Sequence, residues 1–300
     1  MGEKALAINP LYFALSATLC FSYASTIFTE FARKVSPFWM NTFKAFVALI
    51  AFIISILVLN IWMLPTPMTT GALLLSGCIG LMIGDIFMLK AMARLGASRM
   101  LMIFGLQPFL LGIGGYFFFQ QHFSLFNLLG LVFMTLCLYT ISLEHFKKNG
   151  SWQLDGLIAG LIAIVLDGVG IFLTRFAFEN SKGISAIEVN AIRCVGAVIG
   201  FLLIYFFKEK ITFTSTWKKF KRDEKIRIVL GSLLGTFFSL ILYLTAVSRG
   251  KLSIISAVTV TGPMFASVFE SVRYKRLPNV YTVIAFLFFL SGFFIFYKIS

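Results

Sequence analysis

The chain has 300 residues, of which 59% are hydrophobic and 13% charged, with 36 Phe and a mean hydropathy of +0.93. Soluble domains are about 25% charged and at most about half apolar, so the composition excludes an ordinary soluble domain, a disordered chain and a disulfide-stapled secreted domain. The class that remains is an integral membrane protein. Its formal charge of +14 would suggest nucleic acid in a soluble chain. In a membrane chain it reads as basic loops gathered on one side of the bilayer, and no nucleic-acid partner is expected.

A helix needs about 20 apolar residues to cross the hydrocarbon. Ten such stretches run near 11–29, 38–62, 69–91, 98–119, 124–143, 154–178, 184–207, 228–247, 253–272 and 279–297. The runs are continuous rather than alternating, which favours helices over a membrane β-barrel. The polar stretch Lys208–Arg227 is too short to fold alone. Residues 1–28 resemble a secretory leader, with Lys4, an apolar run and small residues near Ala24. Their counterpart in the second half argues that they are kept.

Polar groups inside spans come next, because exposing a charge to lipid costs several kcal/mol. Lys44 lies about six residues into the second span, roughly 9 Å deep at 1.5 Å per residue. Asp85 lies at a similar distance from the same side in the third span, so the two are expected to pair or to face one cavity. The pair is either a purely structural bridge or part of a substrate or proton site. Asn41 sits one turn before Lys44, and Asn190 one turn before Arg193, which places each on its neighbour's helix face. Gln107, just before Pro108, can present an amide to the same cavity. Asp167, near the middle of the sixth span, suits either proton coupling or a neutral hydrogen-bonded role. Arg193 suits either a carboxylate or phosphate contact or helix bracing.

Other positions carry plainer readings. Trp39 and Glu188 are expected near the interface, in belt or snorkelling roles. Glu270 and Arg273 are expected to form a surface ion pair, and Glu30, Arg175 and Glu179 to anchor span ends. Cys20, Cys78, Cys137 and Cys194 lie in separate spans without CxxC spacing, as packing residues do. His122 and His145 are isolated, so no metal and no cofactor is expected. The Phe residues pack or face lipid, with an aromatic cage for a cation as the other reading. Gly80/Gly84, Gly156/Gly160, Gly196/Gly200 and Gly231/Gly235 are GxxxG spacings suited to close helix packing.

The halves repeat. An offset of 149 places Glu30 on Glu179, Asn41 on Asn190, Lys44 on Arg193, Ala48 on Ala197 and Phe52 on Phe201. An offset of 155 places Gly80 on Gly235, Ala91 on Ala246, Arg94 on Arg249, Ser98 on Ser253, Pro108 on Pro263 and Phe133 on Phe288. Asp85 then falls on Leu240, and Asp167 on Thr18. The expected fold is all-α with ten transmembrane helices, as two five-helix repeats at 1–148 and 149–300. Five is odd, so the second repeat enters the membrane upside down. Inverted repeats are common in secondary carriers, whose site lies near the midplane between them.

Pro37, Lys44 and Ala48 lead the first repeat, and Ala186, Arg193 and Ala197 the second. Ala91, Ala97–Ser98 and Pro108 are matched by Ala246, Ser253 and Pro263, and Gly130 and Gly292 follow in the last helices. On these positions the chain resembles the drug/metabolite transporter (DMT) superfamily, EamA type, over nearly its full length. Gln121 and Arg276 stand where that family usually has Glu, and Phe21-Ser22 where it has Trp-Gly. The resemblance implies a non-enzymatic carrier in the plasma (inner) membrane. The leading reading is an exporter of a small polar metabolite that exchanges protons, with Lys44, Asp85, Asp167 and Arg193 at its site. The basic pair points to a carboxylate, such as an amino acid's. The competing reading is a non-transporting scaffold or lipid-interacting protein, in which mutual pairing would seal the polar strips. The oligomeric state is not specified.

Of the 26 Lys and Arg, 18 fall on one side. The positive-inside rule puts that side, with loop 208–227, in the cytoplasm and both termini outside. The resemblance implies the opposite orientation; the charge count is preferred because it uses this chain's own residues. Trp217 and Phe220 are expected to lie along anionic headgroups.

Overall fold

The structure is a computed structural model. It describes residues 10–63, 65–119, 129–130, 132–133, 135–137, 139–140, 143, 146–147, 153–181, 183–207, 213–250, 252–259, 261–275 and 279–299. Gln121, His122, His145, Arg276, the 148/149 repeat boundary and half of the fifth expected span lie outside the described residues.

The described chain is all-α. In order it forms α1 (Pro10–Lys34), α2 (Pro37–Leu59), α3 (Pro67–Leu95), α4 (Ala97–Phe118), α5 (Leu154–Asn180), α6 (Ala186–Phe207), α7 (Phe213–Lys219), α8 (Arg222–Arg249), α9 (Leu252–Thr259), α10 (Gly262–Tyr274) and α11 (Val280–Ile299). Seven of these, α1 to α6 and α8, are long and apolar enough to cross a membrane. The stretch expected as one span at 253–272 is instead two shorter helices, α9 and α10. Local chemistry sets several ends. Ser36 caps α2 by accepting from the Trp39 backbone N–H at 3.1 Å, with Pro37 in the first turn. Asn60 closes α2 in the left-handed conformation, at φ 49°.

The repeat is written into the backbone as well as the sequence. Within α3, residues Gly77–Gly84 form a π-helical stretch, and within α8 residues Leu233–Phe238 do the same. The offset of 155 maps one stretch onto the other. Their glycines, Gly77, Gly80 and Gly84 against Gly235, remove the side chains that would resist the wider turn. A second matched break comes just before the prolines. Phe104–Leu106 tightens to a 3-10 turn ahead of Pro108, and α9 ends before Gly262–Pro263. Pro lacks the N–H that would continue the ladder.

Packing follows the repeat too. The α1–α8 and α3–α5 interfaces exchange the two halves, while α2 packs on its counterpart α6 and α4 on α9 and α10. Phe133 meets its own counterpart Phe288, with ring centroids 6.4 Å apart. This is the pattern of a two-fold axis between repeats. Apolar side chains on the outer faces, such as Ile53, Leu57, Ile158, Leu161, Leu203 and Phe206, remain exposed, as lipid-facing residues do.

The GxxxG glycines hold helices at close approach. A methyl at Gly196 would sit 2.2 Å from the Leu74 carbonyl oxygen. One at Gly77 would sit 1.8 Å from that of Arg193. Neither helix backbone can yield locally, so Gly77→Ala and Gly196→Ala are expected to lose about 1–3 kcal/mol by overpacking. Gly71, with nothing within 4 Å of its added methyl, is the control. Thermal unfolding in detergent should show a lower midpoint for the first two variants and no loss for Gly71→Ala.

Candidate functional site

Between the repeats lies a cavity enclosing about 810 Å³ of atom-free space, part of it open to solvent. Residues of α1 to α4 and of α5, α8, α9 and α10 line it. Both repeats thus contribute walls. Four of the seven candidate residues from the sequence stand in this lining: Lys44, Asp85, Gln107 and Asp167.

Lys44, on the second turn of α2, donates from Nζ to Asp85 Oδ2 at 2.5 Å. Its ammonium also lies 5.3 Å from the Phe28 ring centroid, a cation–π contact from α1. The expected pairing is therefore present, and it ties three helices together. On the facing side, Gln107 Nε2 donates to Asp167 Oδ2 at 2.5 Å, joining α4 to α5. The cavity's remaining polar groups are hydroxyls, from Thr18, Ser22, Thr236, Ser239, Tyr243 and Thr259. The sequence reading passed over these because a hydroxyl is inexpensive to bury in a helix that can accept its proton. Thr18 and Ser22 do this, donating to the Ala14 and Thr18 carbonyls four residues back. Thr236 Oγ1 and Tyr243 Oη are buried without a hydrogen-bond partner among the described residues.

The other three candidates do not join the lining. Arg193 is buried between α6 and α3, donating from Nε to Ser76 Oγ at 2.9 Å and from Nη1 to Asn190 Oδ1 at 3.4 Å. Ser76 Oγ in turn donates to the Gly170 carbonyl of α5 at 2.7 Å. Arg193 thus braces three helices. Its counterpart Lys44 finds Asp85, whereas Leu240 stands at the matching place beside Arg193, so a hydroxyl takes the role. Asn41 Nδ2 donates to the Leu81 and Met82 carbonyls, at 3.0 and 2.9 Å. Those carbonyls belong to the π-helical stretch, whose altered ladder presents them sideways. The expectation of one polar strip facing a cavity on both repeats is corrected: Asn41 and Arg193 bond to neighbouring helices, Asn190 Oδ1 accepts from Arg193 of its own helix, and none of the three is in the lining; Asn41 Oδ1 and Asn190 Nδ2 are buried without a partner among the described residues.

Other expectations change for the same reason, that polar groups near the ends find backbone partners inside the protein. Glu188 is buried, not snorkelling, and accepts from the Ser185 N–H at 2.9 Å and from the Met63 N–H. Glu270 turns inward to cap α4, accepting from the Ala97 N–H at 2.8 Å. Arg273 pairs instead with Glu30, which also receives Arg227 and Lys34. Trp39 is buried and stacks on Phe213, with centroids 4.8 Å apart, and Phe43 stacks on Trp217 at 5.0 Å. The aromatic face of α7 and Phe220 therefore covers the start of α2. Lys218, Lys219, Lys221 and Arg222 remain exposed.

The EamA-like transporter family matches this sequence twice, at residues 9–143 and 154–298. The chain belongs to that family, and so to the DMT superfamily. It is a membrane protein with two EamA repeats, and the matched ranges agree with the internal offsets and the paired π-helical stretches. No curated protein matches the sequence significantly. A crystal structure described only as that of a protein superposes with a TM-score of 0.69, covering 97% of each chain at 13% identity. That likeness shows a shared fold and nothing further.

The Lys44–Asp85 pair makes a stability prediction. Lys44→Met leaves a carboxylate unpaired in a wall of low dielectric, a loss of about 3–5 kcal/mol. The double variant Lys44→Met/Asp85→Leu removes both charges and should recover most of it. Thermal midpoints in detergent should rank wild type and the double variant together, above either single variant.

Proposed function

We propose that the protein is a secondary-active carrier that exports small polar metabolites in exchange for protons. One observation carries this reading: a partly open cavity at mid-depth, walled by both repeats, in which Lys44, Asp85, Gln107 and Asp167 converge. A scaffold has no use for a carboxylate such as Asp167 on a cavity wall, outside the ion pairs found among the described residues, since exposure there forgoes the pairing that makes burial tolerable. The second repeat runs opposite to the first, as its odd number of spans requires, and the exchanged α1–α8 and α3–α5 interfaces support that arrangement. Alternating access then amounts to rocking one repeat on the other about the cavity. Asp167 is the coupling carboxylate in this scheme. It faces the cavity and accepts from the neutral amide of Gln107.

The state described is closed at the end where α1 finishes and α8 begins. The aromatic layer of Trp39, Phe43, Phe213, Trp217 and Phe220 lies there. Beside it the ion pairs of Glu30 with Arg227 and Arg273, and of Lys34 with Glu224, join the repeats. The same end carries most of the basic residues, so we assign it to the cytoplasmic side of the plasma membrane. A C-terminal phosphatase fusion, active only outside the cytoplasm, should be active; a bright C-terminal fluorescent protein would overturn the assignment.

Transport itself is tested in proteoliposomes loaded with a labelled metabolite mixture, with and without an imposed proton gradient. Efflux should require the gradient. Lys44→Gln, Asp85→Asn and Asp167→Asn should each lower it at least tenfold while remaining folded by size-exclusion profile. Near-wild-type efflux in the folded variants would remove these residues from the site.

A further inference from the structure

Lys44, Asp85 and Asp167 line the cavity, and they do not present their charges equally. The Lys44 side chain is 3% exposed and that of Asp85 13%. The Lys44 ammonium is covered by the Phe28 ring on one side and the Asp85 carboxylate on the other. Its charge is neutralised within the wall. Arg193, the other deep cation, is outside the lining and engaged with Ser76 and Asn190. Asp167 differs from both. It is half-buried, it lines the cavity, and the ion pairs found among the described residues do not include it. A solute entering the cavity therefore meets acid before it meets base.

Two further groups point to a ligand. Thr236 is 4% exposed, and its hydroxyl has no hydrogen-bond partner among the described residues. The Tyr243 hydroxyl is in the same position, and both residues line the cavity with Asp167. A buried hydroxyl left unpaired is unfavourable unless something occupies the site.

We propose that the cavity recognises a protonated amine, with Asp167 as its charged partner and the Thr236 and Tyr243 oxygens as further acceptors. This rests on the carrier reading and names the substrate class of that same site. An alkylammonium has three N–H donors and no acceptor. A carboxylate, one Thr oxygen and one Tyr oxygen match that inventory. The rings of Phe21 and Phe104, also in the lining, suit the apolar body that carries the amine. A solute carboxylate fares the other way: it meets two acids and an ammonium already paired. This proposal runs opposite to the expectation that Lys44 and Arg193 select a carboxylate.

The test compares two probes with the same phenethyl body on the full-length protein in nanodiscs by titration calorimetry: phenethylamine and 3-phenylpropionate. Phenethylamine should bind at least tenfold more tightly than 3-phenylpropionate. Asp167→Asn should weaken phenethylamine at least tenfold. Tyr243→Phe and Thr236→Val should each weaken it severalfold, and they serve as the readout if Asp167→Asn does not fold. Equal or tighter binding of 3-phenylpropionate overturns the proposal. So does wild-type affinity for phenethylamine in folded Asp167→Asn, or in both hydroxyl variants, and so does no binding of either probe at millimolar concentration. Binding needs no transport, which separates the two readings. Amine binding without efflux would leave this inference standing and remove the carrier, whereas efflux of a carboxylate would do the reverse.

Discussion

At membrane depth a polar group finds no water, so it must be satisfied inside the protein. The bridge from Lys44 to Asp85 is where this constraint acts most strongly. Two full charges stand 2.5 Å apart between α2 and α3, with a Phe28 ring closing over the ammonium. Neither charge could remain without the other. The bridge thus holds α1, α2 and α3 in a fixed relation and forms one wall of the central cavity. Next to it, the glycine-rich stretch Gly77–Gly84 brings α3 against α5 and α6 without intervening side chains.

The two repeats share a backbone but not a chemistry. Both carry a π-helical stretch at matched positions, and both break before a proline. Yet Asp85 answers to Leu240, and Asp167 to Thr18. As a result the first repeat contributes a closed ion pair, and the second contributes an acid that faces the cavity. Arg193 has Leu240 at the position where Lys44 has Asp85, and it acts as a brace, reaching Ser76 across the repeat boundary. One architecture thereby separates structural charge from charge that a solute can contact.

The ends of the bundle differ in a similar way. Glu30 gathers Lys34, Arg227 and Arg273, and an aromatic layer lies beside it. Among the described residues its counterpart Glu179 pairs within its own helix, with Arg175 at 2.9 Å. Exposed pairs of this kind contribute little each, and a network contributes more. Contacts across the repeats at one end are thus ionic and separable, and the helix interfaces at mid-depth are packed glycine against backbone. That division suits a molecule that opens at its ends while its middle stays assembled.

Composition alone determined the class, because 59% apolar residues cannot be hidden in a 300-residue soluble domain. Offsets of 149 and 155 determined the duplication, since Glu, Asn, Arg and Pro in register are improbable by chance between apolar spans. The Lys44–Asp85 contact was legible too, because both residues lie at similar depth from one side. What only the tertiary structure decided is which polar groups face the cavity. Helical spacing put Asn41, Asn190 and Arg193 on the same faces as their neighbours, but depth and face do not say which helix stands opposite. Of the seven candidates, Asn41 met carbonyls, Arg193 met a serine and Asn190 met Arg193 on its own helix, while four met the space between repeats. The direction of Trp217 and Glu270 was decided likewise, by partners far away in the chain.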